Sequence, residues 1–91
     1  MPYIGRKERG QYQSVLNELA KIIPQDRMAR PGHINYLVSL LIEKVYGSSM
    51  RYADHNEVIG VLHSIALEFY RRKTAPYEDL KIKEEGDLTD L

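Results

Sequence analysis

The sequence predicts an all-α fold, and three observations carry that prediction. Apolar residues recur at three- and four-residue steps over three long stretches. Pro24, Gly47 and Pro76 stand where those stretches end. Asp54 and Glu57 have the three-residue spacing of a helix-opening capping box. The expected architecture is a small bundle of three main helices, at about 7–23, 33–46 and 54–73, with a short C-terminal helix at about 76–85.

The first helix presents Tyr12, Val15, Leu16, Leu19, Ala20, Ile22 and Ile23 as one stripe, with Gln11, Gln13, Asn17, Glu18 and Lys21 opposite. Pro24 ends it, because a proline ring clashes with the preceding turn. Residues 25–32 read as a polar connection, and the second helix follows. Its apolar residues, Ile34, Leu37, Val38, Leu40, Leu41, Ile42, Val45 and Tyr46, cover more than one stripe. A helix that is apolar on several sides is buried on several sides. It is therefore either the centre of a single-chain core or a seam between chains, and helices 2 and 3 are expected to form the core. Gly47 ends it in a left-handed cap.

The third helix opens at Asp54, whose carboxylate is placed to accept a bond from the backbone N–H of Glu57 while Glu57 reaches back. Its face is Val58, Val61, Leu62, Ile65, Ala66, Phe69 and Tyr70, with His63 near it as a packed histidine. Arg71, Arg72 and Lys73 suit the negative end of the helix dipole. Pro76 bars smooth continuation and opens the short fourth helix, which thin apolar content (Tyr77, Leu80, Ile82) leaves marginal alone. Residues 87–91 are expected to be disordered. Gly60 and Ser64, one turn apart, allow close approach of another helix from the same chain or a different one.

The 91 residues, 43% apolar and 29% charged, fit one small soluble domain. No cysteine is present, which excludes disulfides and thiolate metal sites. No apolar run reaches the roughly 20 residues of a membrane span. Residues Met1–Arg6 lack the apolar stretch of a signal peptide, and the expected location is the cytoplasm. Charge is uneven. Residues 1–51 hold eight basic against four acidic side chains, and residues 74–91 hold two basic against six acidic. A basic front and an acidic tail can attract, within a chain or between copies; the alternative is a solvated acidic terminus that aids solubility, with its charges screened by salt. A core of this size is marginal. Wide apolar faces left in water favour self-association, at about 25 cal/mol per Å² removed from solvent.

Several segments carry a resemblance: Met1–Ile4, Arg30–Leu37, Tyr52–Leu62, Leu67–Arg72, Ala75–Asp79 and Glu85–Asp87. Over almost its whole length the chain resembles a family of short proteins of bacteriophages, bacteria and environmental sequences. The resemblance implies a phage or microbial setting and a stand-alone protein. It carries over no catalytic residues.

The residues themselves give little chemistry. His33, His55 and His63 include no pair at helical spacing, so no metal site is expected. No serine sits in a nucleophile elbow, and no glycine-rich phosphate loop is present. Glu57, Ser64 and Glu68 do not supply the repeated acid pair of a metal-dependent nucleotide hydrolase, and Glu68 is placed to pair with Arg72. Neither catalytic residues nor a cofactor is expected. The sharpest binding hypothesis is a small phosphate-bearing ligand at the start of helix 2. Arg27, Arg30, His33 and Arg51 would act as donors there and Tyr52 as a stacking ring, with Asp54 and Glu57 structural. Nucleic acid is the weaker version of that idea. Arg6, Lys7, Arg9 and Lys21 form a basic patch, but net charge is zero and helix 2 is too apolar to recognise a groove. The expected role is thus a non-catalytic homo-oligomeric interaction protein whose first partner is another copy of itself.

Overall fold

The computed structural model describes residues 3–89. The helices run in the order α1 (Arg6–Ile22), α2 (Arg30–Tyr46), α3 (Tyr52–Phe69), a π-turn (Tyr70–Thr74) and α4 (Ala75–Glu85), with no strand among the described residues. The all-α fold class is as the periodicity predicts. Of the tail expected to be disordered, residues 90–91 lie outside the described residues. Residues 87–89 follow α4 without helical structure, and the Leu88 N–H donates to the Asp87 carboxylate at 2.7 Å.

Three boundaries differ from the sequence expectation, each for a stated physical reason. Helix α2 begins at Arg30 rather than His33, so Pro31 and Gly32 belong to its first turn. A first-turn proline loses nothing, since its N–H would have had no helical acceptor. The Asp26 carbonyl accepts from the N–H groups of Ala29 and Arg30, at 3.2 and 2.9 Å, and starts the coil early. Helix α3 begins at Tyr52 rather than Asp54. Asp54 does not cap from outside. It sits in the first turn, and its carboxylate accepts the Arg51 backbone N–H at 3.0 Å. That is the backward half of a capping box, the part a residue at the third helical position performs.

The third correction concerns Pro76, which does not break the chain into separate helices. Around Tyr70–Thr74 the bonding shifts to an i→i−5 pattern, and the Ala75 N–H donates to the Tyr70 carbonyl. The wider turn accommodates a proline whose ring would clash in a regular α-helix. Helical structure is thus continuous from Tyr52 to Glu85, with a contour of about 50 Å. The C-terminal stops follow the glycine rule. Gly47 and Gly86 adopt φ of 80° and 89°, and their N–H groups donate to Glu43 and Ile82, both at 2.8 Å.

The chain divides into two units, one ending at Asp54 and one starting at His55. In the first, Leu19 of α1 and Leu37 and Leu40 of α2 are half-buried along a shared groove. In the second, Val58, Glu68, Thr74 and Ala75 are half-buried. No described residue anywhere is fully buried. His63, expected to be packed, is exposed. Geometry explains the case of α2. At about 100° per residue its apolar side chains span an arc of roughly 240°. Leu37, Val38, Leu40 and Leu41 line the groove beside α1, whereas Ile42 and Tyr46 lie round the helix from it.

Gly60 has nothing within 4 Å of where a Cβ would sit. No neighbour in the chain accounts for a glycine in mid-helix. Gly60→Ala is therefore expected to raise helix stability by about 0.5–1 kcal/mol, read as a higher Tm by circular dichroism. A lower Tm would show that another helix approaches at Gly60 in solution.

Candidate functional site

The first unit carries an apolar groove of about 340 Å³ formed by Leu16 and Leu19 of α1 with Leu37, Val38, Leu40 and Leu41 of α2; Lys44 closes one end. The groove follows from the periodicities of both helices. Leu16 and Leu19 are three apart, and Leu37, Leu40, Leu41 and Lys44 repeat at three and four. A second, wider groove lies at the N-terminal end of α1, between Tyr3, Ile4, Tyr12 and Leu16. Arg9 stays beside it because its Nε donates to the Ile4 carbonyl at 3.1 Å.

The residues proposed from sequence for an anionic ligand fall in two places. Arg27 lies in the turn before α2, and Arg30 and His33 in its first turn. Arg51 and Tyr52 stand at the start of α3, beyond the other end of α2, which is about 25 Å long. All five are exposed, and no hydrogen bond or ion pair among the described residues joins one of their side chains to another. The helix start is also poorer in donors than an ordinary one. Pro31 has no N–H, and the N–H of Arg30 already bonds the Asp26 carbonyl.

The α3–α4 junction holds a feature that sequence reading missed. The Tyr70 hydroxyl donates to the Glu78 carboxylate at 2.5 Å. In an unbroken α-helix residues eight apart differ by about 80° in direction. The π-turn absorbs one residue and brings the two onto one face. The signal was Pro76, read as a stop instead of as a reason for a π-turn. The hydrogen bond to Glu78 raises the Tyr70 pKa above its ordinary 10.0, helped by the charge of Glu78. The protonated phenol is the form the fold holds. Its contribution is complete below the ordinary value and is lost as pH rises through the higher folded one. Glu78→Gln is expected to bring the Tyr70 titration down towards the ordinary range, followed by NMR of labelled tyrosine rings. An unmoved titration would remove Glu78 as the cause.

Ion pairs among the described residues are local, three or four residues apart. Glu68 pairs with Arg71 at 2.9 Å as well as with Arg72 at 3.6 Å, and such surface pairs contribute up to about 1 kcal/mol. No three His, Asp or Glu side chains among the described residues converge as a metal site would need. No helix among them is long and apolar enough to cross a membrane.

Residues 1–88 match the family described as a domain of unknown function, DUF6899. The chain belongs to DUF6899. No curated protein and no solved structure matches it. The features that stand out in this DUF6899 member are exposed apolar helix faces, a leucine groove, and charge divided between its ends.

Proposed function

We propose that the chain is a non-catalytic interaction protein whose working unit is a homo-oligomer. One observation carries this reading. Helix α2, apolar on several sides, has no buried residue, and Leu41 and Val45 are 61% and 71% exposed. A water-soluble chain rarely keeps such faces uncovered. A second copy has the same amphipathic helices and is the simplest cover. The resemblance to short phage and bacterial proteins supports a microbial or phage-infected cytoplasm as the setting. Light scattering at micromolar concentration tests the reading. A mass at a multiple of 10.6 kDa is expected, and a fully helical species at 10.6 kDa would overturn it.

A second reading has a narrower basis. Arg27, Arg30 and His33 are exposed together at the positive end of the α2 dipole, which suits a small phosphate-bearing anion. Titration with inorganic phosphate at low salt should shift the backbone resonances of residues 29–33, and the shifts should fade as salt rises. Unmoved resonances would dismiss it.

A further inference from the structure

We propose that the groove at the N-terminal end of α1 binds single-stranded nucleic acid, a base stacking on its tyrosine rings while Arg9 meets a phosphate. This goes beyond the self-association proposed above and does not depend on it. All six residues that line the groove belong to the first unit.

Helical spacing and one hydrogen bond assemble the site. Tyr12, Gln13 and Leu16 stand three, four and seven residues after Arg9, so the four share one face of α1. Gly5 leaves the helix in an extended conformation, and the chain before it brings Tyr3 and Ile4 alongside that face. The bond from the Arg9 Nε to the Ile4 carbonyl ties this segment to the helix. The groove so formed measures about 540 Å³, a size that ligand sites share.

Its lining differs in kind from the leucine groove of the same unit. That groove is aliphatic apart from Lys44, which suits the apolar face of a helix. This one has two aromatic rings, a guanidinium and a side-chain amide beside one isoleucine and one leucine. Tyr3 is 48% exposed and Tyr12 51%, so each ring keeps surface for another flat group. The Nε bond uses one N–H of Arg9, and its terminal guanidinium nitrogens have no partner among the described residues. Nor has the Gln13 amide. Ring faces take a base, a guanidinium takes a phosphate, and an amide that both donates and accepts takes a base edge.

Local charge selects an anion. Residues 3–13 hold Arg6, Lys7 and Arg9 against Glu8 alone, and none of these cations is in an ion pair among the described residues. The excess acts locally although the whole chain is neutral, because exposed charges are screened beyond about 8 Å at physiological salt. Arg6 lies one turn before Arg9, placed for the next phosphate along a strand. A free nucleotide fits less well, since a small-ligand site encloses most of its ligand and both rings here stay half-exposed. An open aromatic platform beside cations is what a single strand uses.

Fluorescence anisotropy of a short labelled oligothymidylate with the wild-type chain reads the binding. Saturable binding at low salt is expected, weakening as salt rises; no titratable binding would overturn the proposal. Thymidine monophosphate and a duplex of equal length serve as competitors, and both should compete poorly. Equal competition by the mononucleotide would replace the strand with a free nucleotide, and equal competition by the duplex would leave charge alone as the cause. NMR of labelled tyrosine rings locates the site. Of the seven tyrosines, Tyr3 and Tyr12 should shift on adding oligonucleotide, and shifts confined to the other five would remove the groove. Movement of these two rings on raising protein concentration, and not on adding oligonucleotide, would give the groove to a second copy instead. Tyr12→Ala should weaken binding about 5- to 150-fold, while Tyr12→Phe keeps the ring and should bind as the wild type does. Arg9→Gln should lower the slope of log affinity against log salt by about 0.7, the value of one phosphate contact on a single strand. Full affinity in Tyr12→Ala, or an unchanged slope in Arg9→Gln, would contradict the assigned roles. The wild-type ring shifts decide the matter even where a variant loses its helical signal.

Discussion

Leu40→Asp is expected to remove assembly and most of the helical signal in one step. Leu40 lies half-buried in the α1–α2 groove. If another copy covers that groove, truncating a packed leucine alone costs about 2–5 kcal/mol, and a carboxylate with no partner adds a desolvation penalty. Domains of this kind have only about 5–15 kcal/mol to lose. Each copy of a dimer carries the lesion, so the losses double in the assembly. Light scattering and circular dichroism on the same sample should fall together. Leu40→Met, which conserves volume, should cost less than about 1.5 kcal/mol and keep both. The contrast is sharp, because a groove that stays open to water would accept Leu40→Asp within about 0.5 kcal/mol. Retained mass and helicity in Leu40→Asp would therefore show that nothing covers this face.

The ends of the helices were legible in part, and the pattern of success is physical. Pro24, Gly47 and Gly86 act through their own backbone chemistry, and each stands where a helix stops. Pro31 and Pro76 have the same chemistry but opposite consequences. Whether proline stops a helix depends on whether the preceding residues already supply a turn. At Pro31 the Asp26 carbonyl does so, and at Pro76 the π-turn does. Neither can be read from the proline alone. Asp54 was recognised as a start signal, but its position in the first turn depends on which neighbour's N–H it meets. The apolar faces were legible in full, because they need only spacing. What covers them is a property of a second surface, and spacing within one chain does not contain it. The five residues suggested for anion binding fall at opposite ends of α2, Arg27, Arg30 and His33 at its start and Arg51 and Tyr52 beyond its end.

The largest whole-molecule effect should appear on changing concentration alone. Helices of 17 residues, the length of α1 and α2, are marginal in water by themselves. The Glu18–Lys21 pair of α1 is exposed and contributes a few tenths of a kcal/mol. Packing must therefore supply the stability, and no described residue is fully buried in one copy. Under the proposed self-association, folding and association form one equilibrium, and Tm is expected to depend on concentration. A tenfold change in concentration is worth about 1.4 kcal/mol per dimer. For a dimer of this size that moves Tm by about 3–6 °C. Dilution through the dissociation constant should also lower the helical signal at constant temperature. Moderate salt should shift this midpoint to higher protein concentration, since screening weakens the attraction between the basic and acidic units. A Tm that stays constant over a hundredfold range of concentration would mean that each chain is stable alone, with its apolar faces in water or closed on themselves. In that case Leu40→Asp would still report which of the two holds.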